Sequence, residues 1–388
     1  MAYDETKRLA QWTRFVGSDG ESKAKRYIYG QFTQLGIECR RQPFKCSAFL
    51  TNVLLPIGLV LMGTLLLTTA YFYWQGEYLI ALITAVLLLV VLLIANALWT
   101  GSSVGVKHGK QYDLENLIGY MKAKNPRPKR VVVLMSHYDT KSQSFPLILR
   151  LVLFVVSAIG GLTVVLLYLL GTISYLAASV LIFDGTILFI LAAIFAVCNF
   201  ILIFNRTGNK SVGATDNAAA VGVQIAIIRN LLDFPPENTD IYFLTTSAEE
   251  IGLYGSIAFI NQYEKDFSKD FTYFINFDVI GGVGQILLHT KYGIPPKTTS
   301  SEINTLLLEI AKEKNLPVGT QYLPIGATAD HLPILKRGFK TTWIQTGDRK
   351  VSTKIHTTKD NMSLLTKESL RTAIILGFEF IQRIDKKP

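Results

Sequence analysis

The stretch Val131 to Thr140, VVVLMSHYDT, places two residues capable of metal chemistry side by side. An apolar, β-branched run that ends in His137-Tyr138-Asp139 predicts a buried parallel strand with polar side chains at its C-terminal end. Residues i and i+2 of a strand share a face, so His137 and Asp139 are neighbours. An imidazole whose second nitrogen is held by a carboxylate is a common metal-ligand arrangement. Further residues of this type follow in order. Asp216, in Gly213-Ala214-Thr215-Asp216-Asn217, stands directly before a helical pattern, where alone it reads as a cap. Glu249 and Glu250 close the strand pattern IYFLTTSA and point into a cleft. Asp278 ends FINFD, where an unpaired carboxylate would be costly. His356 lies in IHTTKDN, and a lone loop histidine is more often inert. Taken together, two imidazoles and three carboxylates stand at the ends of elements of one α/β sheet, and such ends converge on one crevice. That set suits two divalent metals, most simply zinc, with one carboxylate bridging. An extra glutamate beside a ligand glutamate suits a general base that takes a proton from the attacking water and passes it to the leaving amine.

The elements that position these residues read as follows. Residues from about Asp4 to Gly36 predict two helices, with a turn at Ser18-Asp19-Gly20. Ile37 to Phe49 predicts a strand, and Asp113 to Lys122 its partner. Beyond Arg206 the pattern is α/β: a helix over Asn217–Leu232 with one apolar face, a strand over Thr239–Thr246, and a helix over Tyr254–Tyr263. A strand over Phe271–Val279, a helix over Ser300–Lys314, a strand over Phe339–Gln345 and a closing helix over Lys367–Ile384 follow.

Between the soluble segments lie two apolar blocks. Of 388 residues, 49% are hydrophobic and 18% charged, and the mean hydropathy is +0.32, too apolar for an ordinary soluble chain. The excess sits in residues 51–100 and 146–205, which predict one transmembrane hairpin each. Asn52–Trp74 and Tyr78–Trp99 form the first. Pro146–Leu170 and Gly185–Phe204 form the second, with a short apolar stretch Gly171–Phe183 between them. Ala158, Gly160 and Gly161 suit close helix packing. Asp184 either caps the last span or lies inside a longer tilted helix. Residues 1–50, 101–145 and 206–388 then make one discontinuous catalytic domain, which requires an even number of spans in each block and four in all. The net charge of +10 reads as topology, and no Arg-rich helix or stacking-aromatic module supports nucleic-acid binding. Arg40, Arg41, Lys45, Lys107, Lys110, Arg206 and Lys210 flank the blocks on one side, so the catalytic domain is expected in the cytoplasm. The N-terminus MAYDETKRLAQW has no apolar core, and no cleavable signal peptide is expected. Of the three cysteines, Cys39 and Cys46 could pair, but no disulfide framework is implied.

The order HYD, ATDNAAAVG, AEEIGLYGS, NFDVIG, ADHLPILKRG and HTTKDN resembles the zinc peptidases of the aminopeptidase Y and glutamate carboxypeptidase II type, clan MH. The likeness covers about Glu21 to Phe49 and Glu115 to the C-terminus, and leaves out both apolar blocks. It implies a zinc exopeptidase fold, a mixed eight-stranded sheet flanked by helices, here interrupted by two transmembrane helical hairpins. It implies two zinc ions per chain. His137 and Asp278 would hold one, Glu250 and His356 the other, and Asp216 would bridge them. Glu249 would be the general base, and Asp139 would orient His137. Asp330-His331 matches a family motif near the site that supports it without holding metal. His108 and His289 match nothing. The activity implied is that of a membrane-anchored aminopeptidase acting on short peptides. Two other readings stand beside it: a glutaminyl cyclase-like aminoacyltransferase with one zinc, and a non-catalytic membrane scaffold of the same fold.

Overall fold

The computed structural model describes residues 1–101, 108–324 and 328–387. Lys107, one of the basic residues expected beside the first hairpin, lies outside them. Two compact units are present. Met1–Cys46, Tyr112–Ser142 and Gly208–Pro388 form the first, and Ser47–Gln111 and Gln143–Thr207 the second.

The first unit is built on a sheet of β1 (Glu38–Ser47), β2 (Gln111–Met121), β3 (Arg130–His137), β4 (Thr239–Thr246), β5 (Thr272–Phe277), β6 (Ile286–Tyr292), β7 (Lys297–Thr298), β8 (Val318–Leu323) and β9 (Lys340–Thr346). Eight strands run in the order β1-β2-β4-β3-β5-β9-β6-β8, and the two-residue β7 pairs with β6 as a ninth. The eight expected strands are therefore the path, and β7 is the addition. Strands β4, β3, β5 and β9 are parallel. β2 is antiparallel to β4, and β6 is antiparallel to β9. The sheet is mixed for that reason.

Alternation along β3 shows that both faces are covered. Val132 and Leu134 join one core with Phe32, Ile225, Phe243 and Phe380. Val133 and Met135 join another with Phe259, Phe274 and Phe339. A strand buried on both faces reads as a continuous apolar run, as VVVLM does.

Two elements differ from the sequence reading. Helix Asp19–Gln34 begins within the expected turn, because Ser18 accepts a hydrogen bond from the Glu21 amide at 3.1 Å and caps it. Helix Ala219–Asp233 is buried on nearly every side, not on one face. Helix Ala2–Leu9 lies over it, and a Cβ at Gly222 would stand 2.6 Å from the Ala2 carbonyl oxygen. Within this buried helix Gln224 donates to the Leu134 carbonyl at 2.7 Å. It accepts from the hydroxyls of Thr245 at 2.9 Å and Ser136 at 3.3 Å. The amide thus ties the helix to β3 and β4.

The second unit is helical. Among the described residues three helices are long and apolar enough to cross a membrane: Leu50–Trp74, Leu147–Ala178 and Gly185–Leu202. A fourth helix, Tyr78–Gly101, is apolar over its described stretch Tyr78–Ile94. Helix Leu147–Ala178 continues eight residues past the expected end at Leu170 and takes in Gly171 to Ala178. Gly171 does not break it; a Cβ there would stand 2.3 Å from the Tyr73 hydroxyl oxygen, so the bare glycine admits that ring. Asp184 lies outside the helices and caps Gly185–Leu202, accepting from the Ile187 amide at 3.0 Å. Gly160 packs under Phe195, whereas Gly161 faces open space. Cys39, Cys46 and Cys198 are all free.

Replacing the Gln224 amide by an apolar side chain of similar size, Gln224→Leu, takes a partner from two carbonyls, Leu134 and Leu244, and two hydroxyls in the core. It should lower stability by about 1–3 kcal/mol, read as a lower urea midpoint at unchanged slope for the full chain in detergent. An unchanged midpoint would show that this bridge contributes nothing.

Candidate metal centre

Parallel pairing carries the metal-ligand residue types to one edge. In register, His137 stands beside Thr246, and Met135 beside Asn276. The chain past β3 (Tyr138-Asp139), past β4 (Ser247 to Glu250) and past β5 (Asp278) therefore emerges together. Asp216 arrives on the turn before helix Ala219–Asp233, and His356 on the turn after helix Arg349–Lys354.

These turns carry backbone that side chains seldom adopt. Ala248, before Glu249, has φ 58°; Val279, after Asp278, has φ 57°; His356 itself has φ 60°. Such conformations cost on the order of 1–3 kcal/mol each and cluster at functional sites. Gly213 has φ 52°, and a Cβ there would stand 2.1 Å from the Asp216 carbonyl oxygen, so only glycine fits the turn.

All seven residues expected in the site are buried or nearly so, and they meet. His137 Nε2 lies 3.2 Å from Asp216 Oδ1 and 3.4 Å from Asp278 Oδ1. His356 Nε2 lies 3.1 Å from Asp216 Oδ2 and 3.1 Å from Glu250 Oε2. Two groups result, His137–Asp216–Asp278 and Asp216–Glu250–His356, each with its ligand atoms within 4.8 Å of one another. The two oxygens of Asp216 are divided between them. Glu249 Oε2 stands 3.9 Å from His137 Nε2 and belongs to neither group. Asp139 meets His137 Nδ1 twice: its main-chain oxygen lies at 3.2 Å and its carboxylate Oδ1 at 3.6 Å. Both carboxylate oxygens accept main-chain N–H groups, from Glu249 and from Glu250, at 3.2 Å each. Asp139 thus fixes the two glutamates at least as much as the imidazole.

Charge explains the titration of the group. Burial opposes the ionised form of Asp216, but the imidazoles of His137 and His356 hold its carboxyl well below the usual range. Burial likewise opposes ionisation of Glu250, yet His356 and Lys141 bring it down to about 2. Burial pushes Glu249 well up, helped by Asp278 and Glu250 and opposed by His137. Burial disfavours a charged His137, but Glu249 and Asp278 raise it well above the ordinary imidazole value. The crevice therefore favours positive charge where the two imidazoles point. His137 Nε2 is also buried without a hydrogen bond in suitable geometry. Imidazole nitrogen and carboxylate oxygen are donors that zinc takes in catalytic sites. The residues present fit zinc on these grounds.

Several residues of the site escaped the sequence. Arg14 is completely buried. Its guanidinium donates to the carbonyls of Tyr138 at 2.7 Å, Val212 at 2.6 Å, Gly213 at 3.0 Å, Leu9 at 3.0 Å and Trp12 at 3.2 Å. It pins the His137–Asp139 turn to the Gly213–Asp216 turn. Asp360 accepts from the Thr215 amide at 2.8 Å and the Asp216 amide at 3.2 Å; burial, then the charge of Asp216, pushes it up to about 7. Its position four residues after His356 was the available signal; Arg14 offered none. Asp330 accepts the Thr246 hydroxyl at the end of β4, close behind the site as expected. His331 stacks against Trp343, whose indole donates to the Asp278 carbonyl at 3.4 Å. His289 lies against the same indole, at 3.8 Å between ring centroids.

The sequence model of peptidase family M28 matches residues 199–379, which contain Asp216, Glu249, Glu250, Asp278 and His356. The matched residues make up just under half of the chain. Aminopeptidase YwaD of Bacillus subtilis (strain 168) is 26% identical over 175 residues, 42% of this chain and 36% of that protein. The match thus spans about a third of the relative's length. Among solved structures, a zinc aminopeptidase from Bacillus subtilis has a TM-score of 0.56 at 14% identity, covering 98% of this chain and 94% of that one. An aminopeptidase from Aneurinibacillus sp. strain AM-1 has a TM-score of 0.56 at 17% identity, with 98% and 92% covered. An Acidobacteriales bacterium glutaminyl cyclase also has a TM-score of 0.56 at 17% identity, with 100% and 94% covered. The chain shares its fold with all three.

Arg14→Met should lower stability by about 3 kcal/mol or more, since three carbonyls of the two ligand turns lose a charged donor. Arg14→Lys should recover only part, because an ammonium has three donors against five. Thermal melting of the full chain measures both. A lysine variant as stable as the native chain would contradict the clamp.

Proposed function

We propose that this chain is a membrane-anchored zinc aminopeptidase that removes N-terminal residues from short peptides. The observation that carries the reading is the sharing of Asp216 between two groups of ligand atoms. His137 and Asp278 would hold one zinc, Glu250 and His356 the other, and Asp216 would bridge them. Bound there, two zinc ions would supply Lewis acidity to the scissile carbonyl, anchor the free amine and make water a nucleophile at neutral pH. The chain's own residues do the rest. Glu249, outside both groups and raised in pKa by burial, takes the water's proton and delivers it to the leaving amine. Asp139 holds the Glu249 and Glu250 amides, so the base and its neighbour keep their spacing. The backbone strain at Ala248 and His356 fixes the same crevice from two sides.

A second reading, a cyclase acting on N-terminal glutamine with one zinc, draws on the structural likeness to glutaminyl cyclases. It leaves one of the two three-residue groups without a metal.

Residues 51–100 and 146–205 supply the membrane anchor in this proposal, as two hairpins and four spans. The remaining segments gather in one unit, which is what an even number of spans in each block requires. Arg40, Arg41, Lys45, Lys110, Arg206 and Lys210, against a first-hairpin loop Gln75-Gly76-Glu77 without lysine or arginine, favour a cytoplasmic catalytic unit.

Purified full chain in detergent should hydrolyse aminoacyl anilides, and a chelator should stop it. Glu249→Ala should reduce turnover by about 100-fold or more while zinc content stays near native, and Asp216→Ala should lose both ions together. Cyclisation of glutaminyl peptides without anilide hydrolysis would replace this reading by the second. For topology, a cysteine at Gln75 should label in intact cells and one at Lys210 should not; the opposite pattern reverses the orientation.

A further inference from the structure

Glu250 is held by a cation of this chain as well as by an imidazole. Lys141 Nζ lies 2.9 Å from Glu250 Oε2, the same oxygen that stands 3.1 Å from His356 Nε2. The ammonium also donates to the Glu250 main-chain oxygen at 3.0 Å, and the Lys141 amide donates to Oε1 at 3.2 Å. Two of these three bonds are the ammonium's own, and they leave it little freedom to swing away. Its side chain is 18% exposed, so solvent screens it only in part. Among the described ion pairs, no lysine or arginine meets Asp278 or Asp216. The fixed cation therefore bears unequally on the two groups.

We propose that Lys141 weakens the Asp216–Glu250–His356 position for metal, so that the two positions fill in sequence, His137–Asp216–Asp278 first. Two effects act together. A lone pair of Oε2 is already engaged by a charged donor, which lowers its strength as a ligand. A divalent ion bound to Oε2 would also stand within a few ångströms of a like charge. The first position meets neither penalty. At limiting zinc the chain then holds one ion, and the second exchanges. This inference rests on the di-zinc reading above.

The test is a zinc titration of the full chain in detergent, stripped with a chelator beforehand and read by calorimetry rather than turnover. The native chain should bind in two steps, the second weaker by about tenfold or more. Lys141→Met should tighten the second step by about tenfold and leave the first within about threefold. Lys141→Arg keeps the charge and should keep the weak second step. Should the methionine variant fail to give a native circular dichroism spectrum, Lys141→Gln serves in its place. Two equal steps in the native chain, or a second step that neutral variants leave unchanged, overturn the role of Lys141 while the di-zinc reading stands. Absence of zinc binding in the native chain overturns both.

Discussion

Buried negative charge is the constraint on which this structure turns. Asp139, Asp216, Glu249, Glu250 and Asp278 are all buried at one edge of one sheet. Carboxylates out of water repel one another and cost several kcal/mol each unless they are paired or bonded. Much of the first unit answers that cost. Asp139 takes two main-chain amides, and Asp360 takes two more and so fixes the turn that bears Asp216. Arg14 brings a full positive charge behind the two ligand turns and spends every bond on carbonyl oxygens. Lys141 neutralises Glu250 directly. What remains is a crevice that favours cations at His137 and His356, which is the electrostatic meaning of a metal centre.

The same constraint accounts for the shape of the backbone. Parallel strands end together, and their ends open one crevice. Side chains on tight turns beyond those ends are positioned more narrowly than side chains on free loops, at the cost of left-handed residues at Ala248, Val279 and His356. The sheet holds these turns although the chain leaves it twice. β1 and β2 are neighbours across an apolar block, and β3 and β4 pair in register across another. Sheet pairing over such sequence separation is slow to form, because loop closure precedes any gain from contact.

Much of this was legible in the sequence because it follows local rules. VVVLMSH, IYFLTT and TYFINF are continuous apolar runs, which strands buried on both faces require, and their polar ends named His137, Glu249, Glu250 and Asp278. β6 and β8 went unread because they lie toward the sheet edge; ILLHTKY and VGTQYL alternate weakly and bury few side chains. Helices His331–Lys336 and Arg349–Lys354 are too short for periodicity to show. Helix Ala219–Asp233 looked one-sided because its Gln224 faces the sheet and its outer face is covered by a segment more than two hundred residues away. Arg14 was invisible for the same reason: its partners Tyr138 and Gly213 are remote in sequence, and an isolated arginine between two helices carries no local signal.

The central claim is that one carboxylate, Asp216, serves two metal positions. Anomalous scattering at the zinc edge, from crystals of the full chain saturated with zinc, addresses it most directly. The account predicts two peaks, one ringed by His137, Asp216 and Asp278 and the other by Asp216, Glu250 and His356. A single peak among Asp216, Glu250 and His356, with His137 and Asp278 bare, would contradict it, as would no peak at all.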